Sequence, residues 1–163
     1  MEQVSAQKIG EELYKRNDNK MPDELKPLVK HMTEYSIALI EDEIMMLNIF
    51  ITDFAAQSIL GSNSPAKKAI LDAFYSCWEK MASDVDVPDI IDDIKERLWE
   101  YSRALKTTHT MGPAFTIGKA FAKFCDYEMD AGITFIGSSI FITSLVGRRE
   151  LFKSLQEKFE ITT

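Results

Sequence analysis

The sequence contains little glycine and little proline, with seven and five residues respectively in a chain of 163. Average usage, near 7% glycine and 5% proline, would give about eleven and about eight. A β-sandwich or a β-barrel needs many turns, and this chain has too few turn residues to form them. These absences predict an all-α fold.

Cysteine is rare as well. Cys77 and Cys125 are the only two, and both lie among apolar neighbours, which is typical of reduced cysteines in a protein core. The first residues, Met-Glu-Gln-Val-Ser, include neither the basic segment nor the apolar segment of a secretory signal peptide. We therefore expect a cytoplasmic location.

Basic residues are fewer than acidic residues. The chain has 19 basic and 26 acidic residues, a net charge of −7, and residues 1–60 alone hold six basic against eleven acidic groups. Such a field repels phosphate, so nucleic acid is not expected as a partner. An acidic surface suits a basic protein partner, although acidity is common enough that a homo-oligomer is equally compatible with it.

The apolar residues recur at helical spacing over most of the chain, and no linker or repeat divides it. We predict one helical domain over 1–163, a single compact bundle of five to six helices. Helix 37–60 is expected at its centre because it is apolar nearly all round. A second central helix is expected at about 113–130, with Met129 on its apolar face. Other helices are predicted at about 5–16, at about 144–160 and from Pro65, with Ser64 as its cap. The segment that ends at Leu60 is predicted to begin near Pro22 or Pro27 and to be followed by Gly61 as its C-terminal cap. A further helix is predicted to end at about Lys106, with Asp86 as the cap at its start.

The run 131–147 is nearly free of charge and has no clean periodicity. It is about long enough to cross a bilayer, but its glycines, serines and threonine disfavour insertion. A hairpin around Gly137 is a second alternative, although the chain shows no other strand for it to join. We predict a buried helix whose small residues allow a close backbone approach. In such a helix Gly137→Ala should be tolerated if space allows.

Three consecutive acids, Glu41, Asp42 and Glu43, are the most unusual feature of the sequence. On a helix they point about 100° apart, so they cannot all avoid an apolar environment. Asp42 and Glu43 each share a face with apolar residues, and one of the two is predicted to be buried. The functional interpretation is a metal ligand or a general base. The structural one, which we favour, is an ion pair with a Lys or Arg from a neighbouring helix, or an exposed carboxylate on a helix that projects from the bundle.

No motif indicates a catalytic residue, a metal or a cofactor. A di-iron helical bundle needs Glu-x-x-His on two helices, and the positions three residues before His31 and His109 hold Leu28 and Lys106. A haem would need one axial histidine, but His109 precedes a Gly-Pro pair that is typical of a loop. The chain also lacks a nucleophile elbow, a P-loop and a dinucleotide-binding glycine motif. We therefore expect a protein that is not an enzyme.

Methionine and aromatic side chains are the remaining candidates for recognition. They are first of all core residues, but flexible methionines and aromatics also line pockets for apolar ligands. Two hypotheses follow: a non-enzymatic interaction or regulatory module that binds another protein and, as the alternative, a sensor-type domain that binds a small apolar ligand in the bundle core. The candidate ligand-binding residues are Met46, Phe50, Phe54, Phe74, Trp78 and Phe121.

Overall fold

The computed structural model describes residues 2–107 and 109–162, and 74% of them are helical. The prediction of an all-α bundle of five to six helices is confirmed. A single-turn 3₁₀ helix, Lys26–Leu28, precedes the second α-helix. The elements in chain order are β1 (Glu2–Ser5), α1 (Ala6–Lys15), α2 (Glu34–Leu60), α3 (Pro65–Asp84), α4 (Asp89–Lys106), α5 (Pro113–Phe124), α6 (Ala131–Lys158) and β2 (Phe159–Thr162).

Local signals place several helix ends as the sequence predicts. The Ser64 hydroxyl accepts a hydrogen bond from the Lys67 amide at 3.2 Å, and Pro65 is the first helical residue of α3. Gly61 follows the last residue of α2 with a φ of +87°, a conformation that glycine adopts without steric cost. These two signals account for the α2–α3 connection.

Other helix ends differ from the prediction. The segment after Pro22 forms turns and the 3₁₀ helix, and α2 begins only at Glu34, where the Thr33 hydroxyl accepts the Ser36 amide at 3.2 Å. The second central helix does not extend to residue 130. It ends at Phe124, because Asp126 takes a left-handed φ of 62°.

The same left-handed ending explains the error at Asp86. We expected this residue to cap the start of α4, but it follows the end of α3 with a φ of 54°. The Val87 amide bonds back to the Ala82 carbonyl at 3.0 Å, and the Asp86 amide bonds to that of Ser83. This is the Schellman pattern, with aspartate where glycine is usual.

The uncharged run 131–147 is helical, as predicted, and the hairpin alternative is wrong. It is continuous with the predicted last helix, so that α6 has 28 residues. The helix begins where the Asp130 carboxylate accepts the Ile133 amide at 2.9 Å. By length and composition α6 could cross a membrane, the one such helix in the described part of the chain, and 33% of its most apolar window is buried.

Two short strands were not predicted. β1 and β2 pair in parallel, with Val4 opposite Ile161. A parallel pair needs a long connection, and here it is the body of the chain that supplies it. The strands join the two terminal segments of the described chain to each other.

The described residues group into two compact units. The first unit comprises the described residues of 1–17, 51–95 and 145–163, and the second comprises 18–50 and 96–144. The prediction of a single domain over 1–163 stays a prediction. Buried side chains of the first unit include Ile9, Leu13, Ile70, Phe74, Trp78 and Phe152; those of the second include Ile40, Ile44, Leu47, Tyr101, Phe121 and Ile136.

Candidate functional site

The three consecutive acids at 41–43 differ in burial. Asp42 is exposed, whereas the side chain of Glu43 is only 4% exposed. Two partners of Glu43 come from α4: Arg97 Nε donates to one carboxylate oxygen at 3.2 Å, and the Tyr101 hydroxyl donates to the other at 2.5 Å. Arg97 and Tyr101 are four residues apart and therefore share one face of α4.

Aromatic rings enclose this ion pair. The Arg97 guanidinium lies 4.0 Å from the centroid of the Phe124 ring, and Tyr101 packs between Phe50 and Phe124. Burial, followed by the charge and hydrogen bond of Glu43, raises the pKa of Tyr101 well above its usual value. The phenol therefore remains the donor to Glu43 over the physiological pH range.

The polar groups of this cluster bond to one another. Both oxygens of Glu43 already accept hydrogen bonds from α4, and burial raises the pKa of the neighbouring Cys125 thiol, which keeps it un-ionised. In residues 2–107 and 109–162 no three His, Cys, Asp or Glu side chains form a group that could hold a metal ion. The interpretation of Glu43 as one half of an interhelical ion pair agrees with this geometry.

The six predicted ligand-binding residues are core residues in the structure. Phe54, Phe74 and Trp78 belong to the first unit, where Trp78 packs edge-on against Phe74 and Tyr14. Met46, Phe50 and Phe121 belong to the second unit and are buried there. Of the six, Phe54 alone is half-buried rather than buried. None of them lines either of the two surface features described next.

The first of these features is a cavity of about 320 Å³ in the first unit, which we call the terminal cavity. It lies among β1, α1, the end of α6 and β2. Its volume falls at the lower end of the range of small-molecule sites, and its lining is mainly apolar. The lining residues are Gln3, Val4, Lys8, Ile9, Glu12, Leu13, Arg16, Leu151, Leu155 and Phe159.

Charged side chains of α1 border the terminal cavity. Lys8, Glu12 and Arg16 follow one another at intervals of four residues and therefore share a helix face. Glu12 forms an ion pair with Lys15 at 2.9 Å, and the hydrogen bond and charge of Lys15 lower the pKa of Glu12. The nearby charges of Arg16 and Lys8 lower the pKa of Glu12 further.

The second feature is an exposed apolar groove in the second unit, which we call the methionine surface. Met129 is 90% exposed, Met111 67% and Phe135 57%, and all three line the same groove of about 480 Å³. The sequence pattern had placed Met129 on the buried face of a helix reaching residue 130. It is exposed because α5 ends at Phe124 and Met129 lies in the turn before α6.

Comparison of the chain with protein-family models, with curated proteins and with solved structures finds no match.

Proposed function

We propose that this protein is a non-enzymatic interaction module whose methionine surface binds a basic amphipathic helix of another protein. The observation that carries the proposal is the exposure of Met111, Met129 and Phe135 along one groove. Large apolar side chains that share an exposed patch are typical of interaction sites. Methionine suits such a site because its flexible, polarizable side chain adapts to the groups that contact it.

An amphipathic helix is the occupant that fits this groove. Such a helix binds by laying its apolar face into a hydrophobic groove, with anchor residues spaced by three or four positions. Met111 precedes α5, Met129 lies in the turn after it, and Phe135 lies on the first turns of α6, so the apolar groups border the groove from more than one side.

The charge around the groove favours a basic partner. Asp126 and Glu128 are exposed in the turn that carries Met129, and Asp130 follows at the start of α6. The second unit as a whole has twelve acidic and eight basic residues, a net charge of −4. Lys119 lines the groove as well, so we expect the basic residues of the partner on the side of the α5–α6 turn.

A catalytic role is not part of this proposal. Glu43 was the strongest candidate for a general base, and its two oxygens accept hydrogen bonds from Arg97 and Tyr101. A base needs access to the proton that it removes, and the Glu43 side chain is buried.

Calorimetric titration with a designed peptide tests the proposal. The probe is a synthetic Leu/Lys helix with all leucines on one face, and the matched peptide has the same composition with the leucines distributed around the helix. We expect the amphipathic peptide to bind and the matched peptide to bind at least about tenfold more weakly. Met129→Ser should weaken binding of the first peptide about tenfold, as loss of an interface anchor does.

Tyr35→Ser provides the control, because Tyr35 is an exposed apolar-bodied side chain of the same unit that does not line the groove. It should leave peptide binding unchanged. Equal binding of both peptides, or no effect of Met129→Ser, would refute the proposal. Sedimentation measures the oligomeric state of the wild type and of Met129→Ser. If the wild type is a dimer and the variant is a monomer, the methionine surface binds a second copy of the chain, and the proposal of a partner helix is wrong.

A further inference from the structure

The terminal cavity has the volume and the mainly apolar lining of a small-molecule site. Ile9 and Leu13 are buried and form its floor. Leu151 and Leu155, one turn apart on α6, and Phe159, the first residue of β2, are half-buried and also line it. These three side chains leave apolar surface that a hydrocarbon chain in the cavity would cover.

The rim of the terminal cavity has an excess of positive charge. Glu12 lies between Lys8 and Arg16 on the same face of α1, and its charge is matched by Lys15 at 2.9 Å. Lys8 and Arg16 both line the cavity, and their charges add to that of Lys15 in lowering the pKa of Glu12, so three cations surround one carboxylate. Together they provide ammonium and guanidinium donors beside an apolar pocket, which is the arrangement that holds the carboxylate of an amphipathic molecule.

We infer that the terminal cavity binds a small amphipathic anion, a short hydrocarbon chain that ends in a carboxylate, with Lys8 and Arg16 holding the carboxylate. The volume of about 320 Å³ restricts the ligand to a short chain. The inference does not depend on the methionine surface, which belongs to the other unit.

Such a ligand would also stabilise the protein. The cavity is lined by residues from both terminal segments, Gln3 to Arg16 on one side and Leu151 to Phe159 on the other. A molecule that binds this folded arrangement and not the unfolded chain raises the free energy of unfolding as its concentration rises above Kd. Thermal unfolding therefore reports occupancy without any knowledge of a downstream activity.

Three eight-carbon probes separate charge from hydrophobicity: octanoate, octan-1-ol and octylammonium. Each is titrated into the full chain by calorimetry, and each is tested for its effect on Tm. We expect octanoate to bind most tightly and to raise Tm, octanol to bind more weakly, and octylammonium to have no effect. Raising the ionic strength should weaken octanoate binding and leave octanol binding unchanged, because the contacts with Lys8 and Arg16 are exposed to solvent.

Variants then locate the site. The double variant Lys8→Gln/Arg16→Gln should weaken octanoate binding about threefold to tenfold, as expected for two exposed charge contacts, and should not change octanol binding. Lys153→Gln is the matched control, since Lys153 is an exposed cation of α6 that does not line the cavity. Leu155→Glu places an anion in the wall and should abolish binding of octanoate; circular dichroism verifies that this variant is folded.

The proposal is overturned if octanoate fails to bind, if octanol binds as tightly as octanoate, or if the double variant binds octanoate like the wild type. Binding to Leu155→Glu with unchanged affinity would place the site elsewhere. Met129→Ser should bind octanoate normally, and Lys8→Gln/Arg16→Gln should bind the Leu/Lys peptide normally. Failure of this inference is therefore distinguishable from failure of the proposed function.

Discussion

Replacing Glu43 with glutamine tests the ion pair between α2 and α4. The side chain of Glu43 is 4% exposed, and its carboxylate accepts hydrogen bonds from Arg97 at 3.2 Å and Tyr101 at 2.5 Å. Removing one partner of a buried ion pair costs about 3–5 kcal/mol. Arg97 keeps 18% side-chain exposure and a second carboxylate, Glu96, at 2.9 Å. We therefore expect a smaller loss for Glu43→Gln, about 2–3 kcal/mol.

The complementary variant, Arg97→Met, should be more damaging. It leaves the Glu43 carboxylate in the core with the Tyr101 hydroxyl still donating to it from α4 but without the Arg97 guanidinium. The full cost of about 3–5 kcal/mol then applies. In the double variant the uncompensated charge is gone, so the combined loss should fall below the sum of the single losses by about 1–3 kcal/mol.

Urea denaturation at neutral pH measures all three losses. Asp42→Asn is the matched control, because it removes an exposed acid from the adjacent position of α2 and should change stability by less than about 0.5 kcal/mol. A Glu43→Gln variant as stable as the wild type, or more stable, would refute the reasoning. It would mean that desolvation of the carboxylate cancels everything that Arg97 and Tyr101 contribute.

Three further predictions concern a cap, a close helix contact and a buried phenol. Ser64→Ala should cost about 1 kcal/mol in urea melts, because the Lys67 amide loses its acceptor. Gly137→Ala should cost about 1–3 kcal/mol, because a Cβ there would lie 2.6 Å from the Cβ of Phe121. Above pH 10 the unfolded Tyr101 ionises while the buried one stays protonated, so stability should fall with rising pH, and Tyr101→Phe should remove about 1.4 kcal/mol per pH unit of that slope.

Each of these predictions has a control. Ser62→Ala lies just outside α3 and should be neutral. Gly147→Ala lies on the same helix as Gly137 with nothing within 4 Å of the added Cβ, so it should stabilise by about 0.5–1 kcal/mol. Tyr35→Phe, at an exposed tyrosine, should leave the alkaline slope unchanged. An effect of Gly137→Ala equal to that of Gly147→Ala would contradict the close approach of α5 and α6.

Sequence patterns predict the helices of this fold well because apolar spacing and caps are local. Ser64 with Pro65 and the glycine at 61 each act within a few residues, and the structure has them as expected. The two helix ends that were missed both depend on aspartate in a left-handed conformation, at 86 and 126. Aspartate adopts that conformation only where the tertiary structure supports it, so composition alone did not indicate these ends.

Features that depend on contacts between distant parts of the chain could not be predicted from the spacing of apolar residues. The parallel pair of β1 and β2 joins four-residue segments from opposite ends of the chain, and neither is long enough to show a clear alternation. The helix prediction for 131–147 was correct, but the tolerance expected of Gly137→Ala was not, because the position of Phe121 against Gly137 is a tertiary contact. A glycine in a helix indicates that a neighbouring element packs close to it, but it does not give the distance.

For the candidate sites too, local features could be predicted from the sequence, whereas contacts between distant residues could not. The burial of one acid in the triplet followed from helix geometry, but its partners Arg97 and Tyr101 lie more than fifty residues away. For the terminal cavity, the spacing of Lys8 and Arg16 on α1 was visible in the sequence, yet nothing there placed Leu155 beside them. The exposure of Met129 depended entirely on the early end of α5.

The Glu43 cluster also constrains how α4 lies along α2. Apolar side chains of two helices can interdigitate in more than one register, since a shift of one turn replaces each contact with a similar one. A shift of α4 by one turn would move Arg97 about 5.4 Å along the helix axis, which is more than its 3.2 Å hydrogen bond can tolerate. The Tyr101 hydroxyl would leave the other carboxylate oxygen in the same step. Because both bonds are lost together, every shifted register takes the guanidinium and the hydroxyl of α4 away from a buried carboxylate, and that cost favours the observed register.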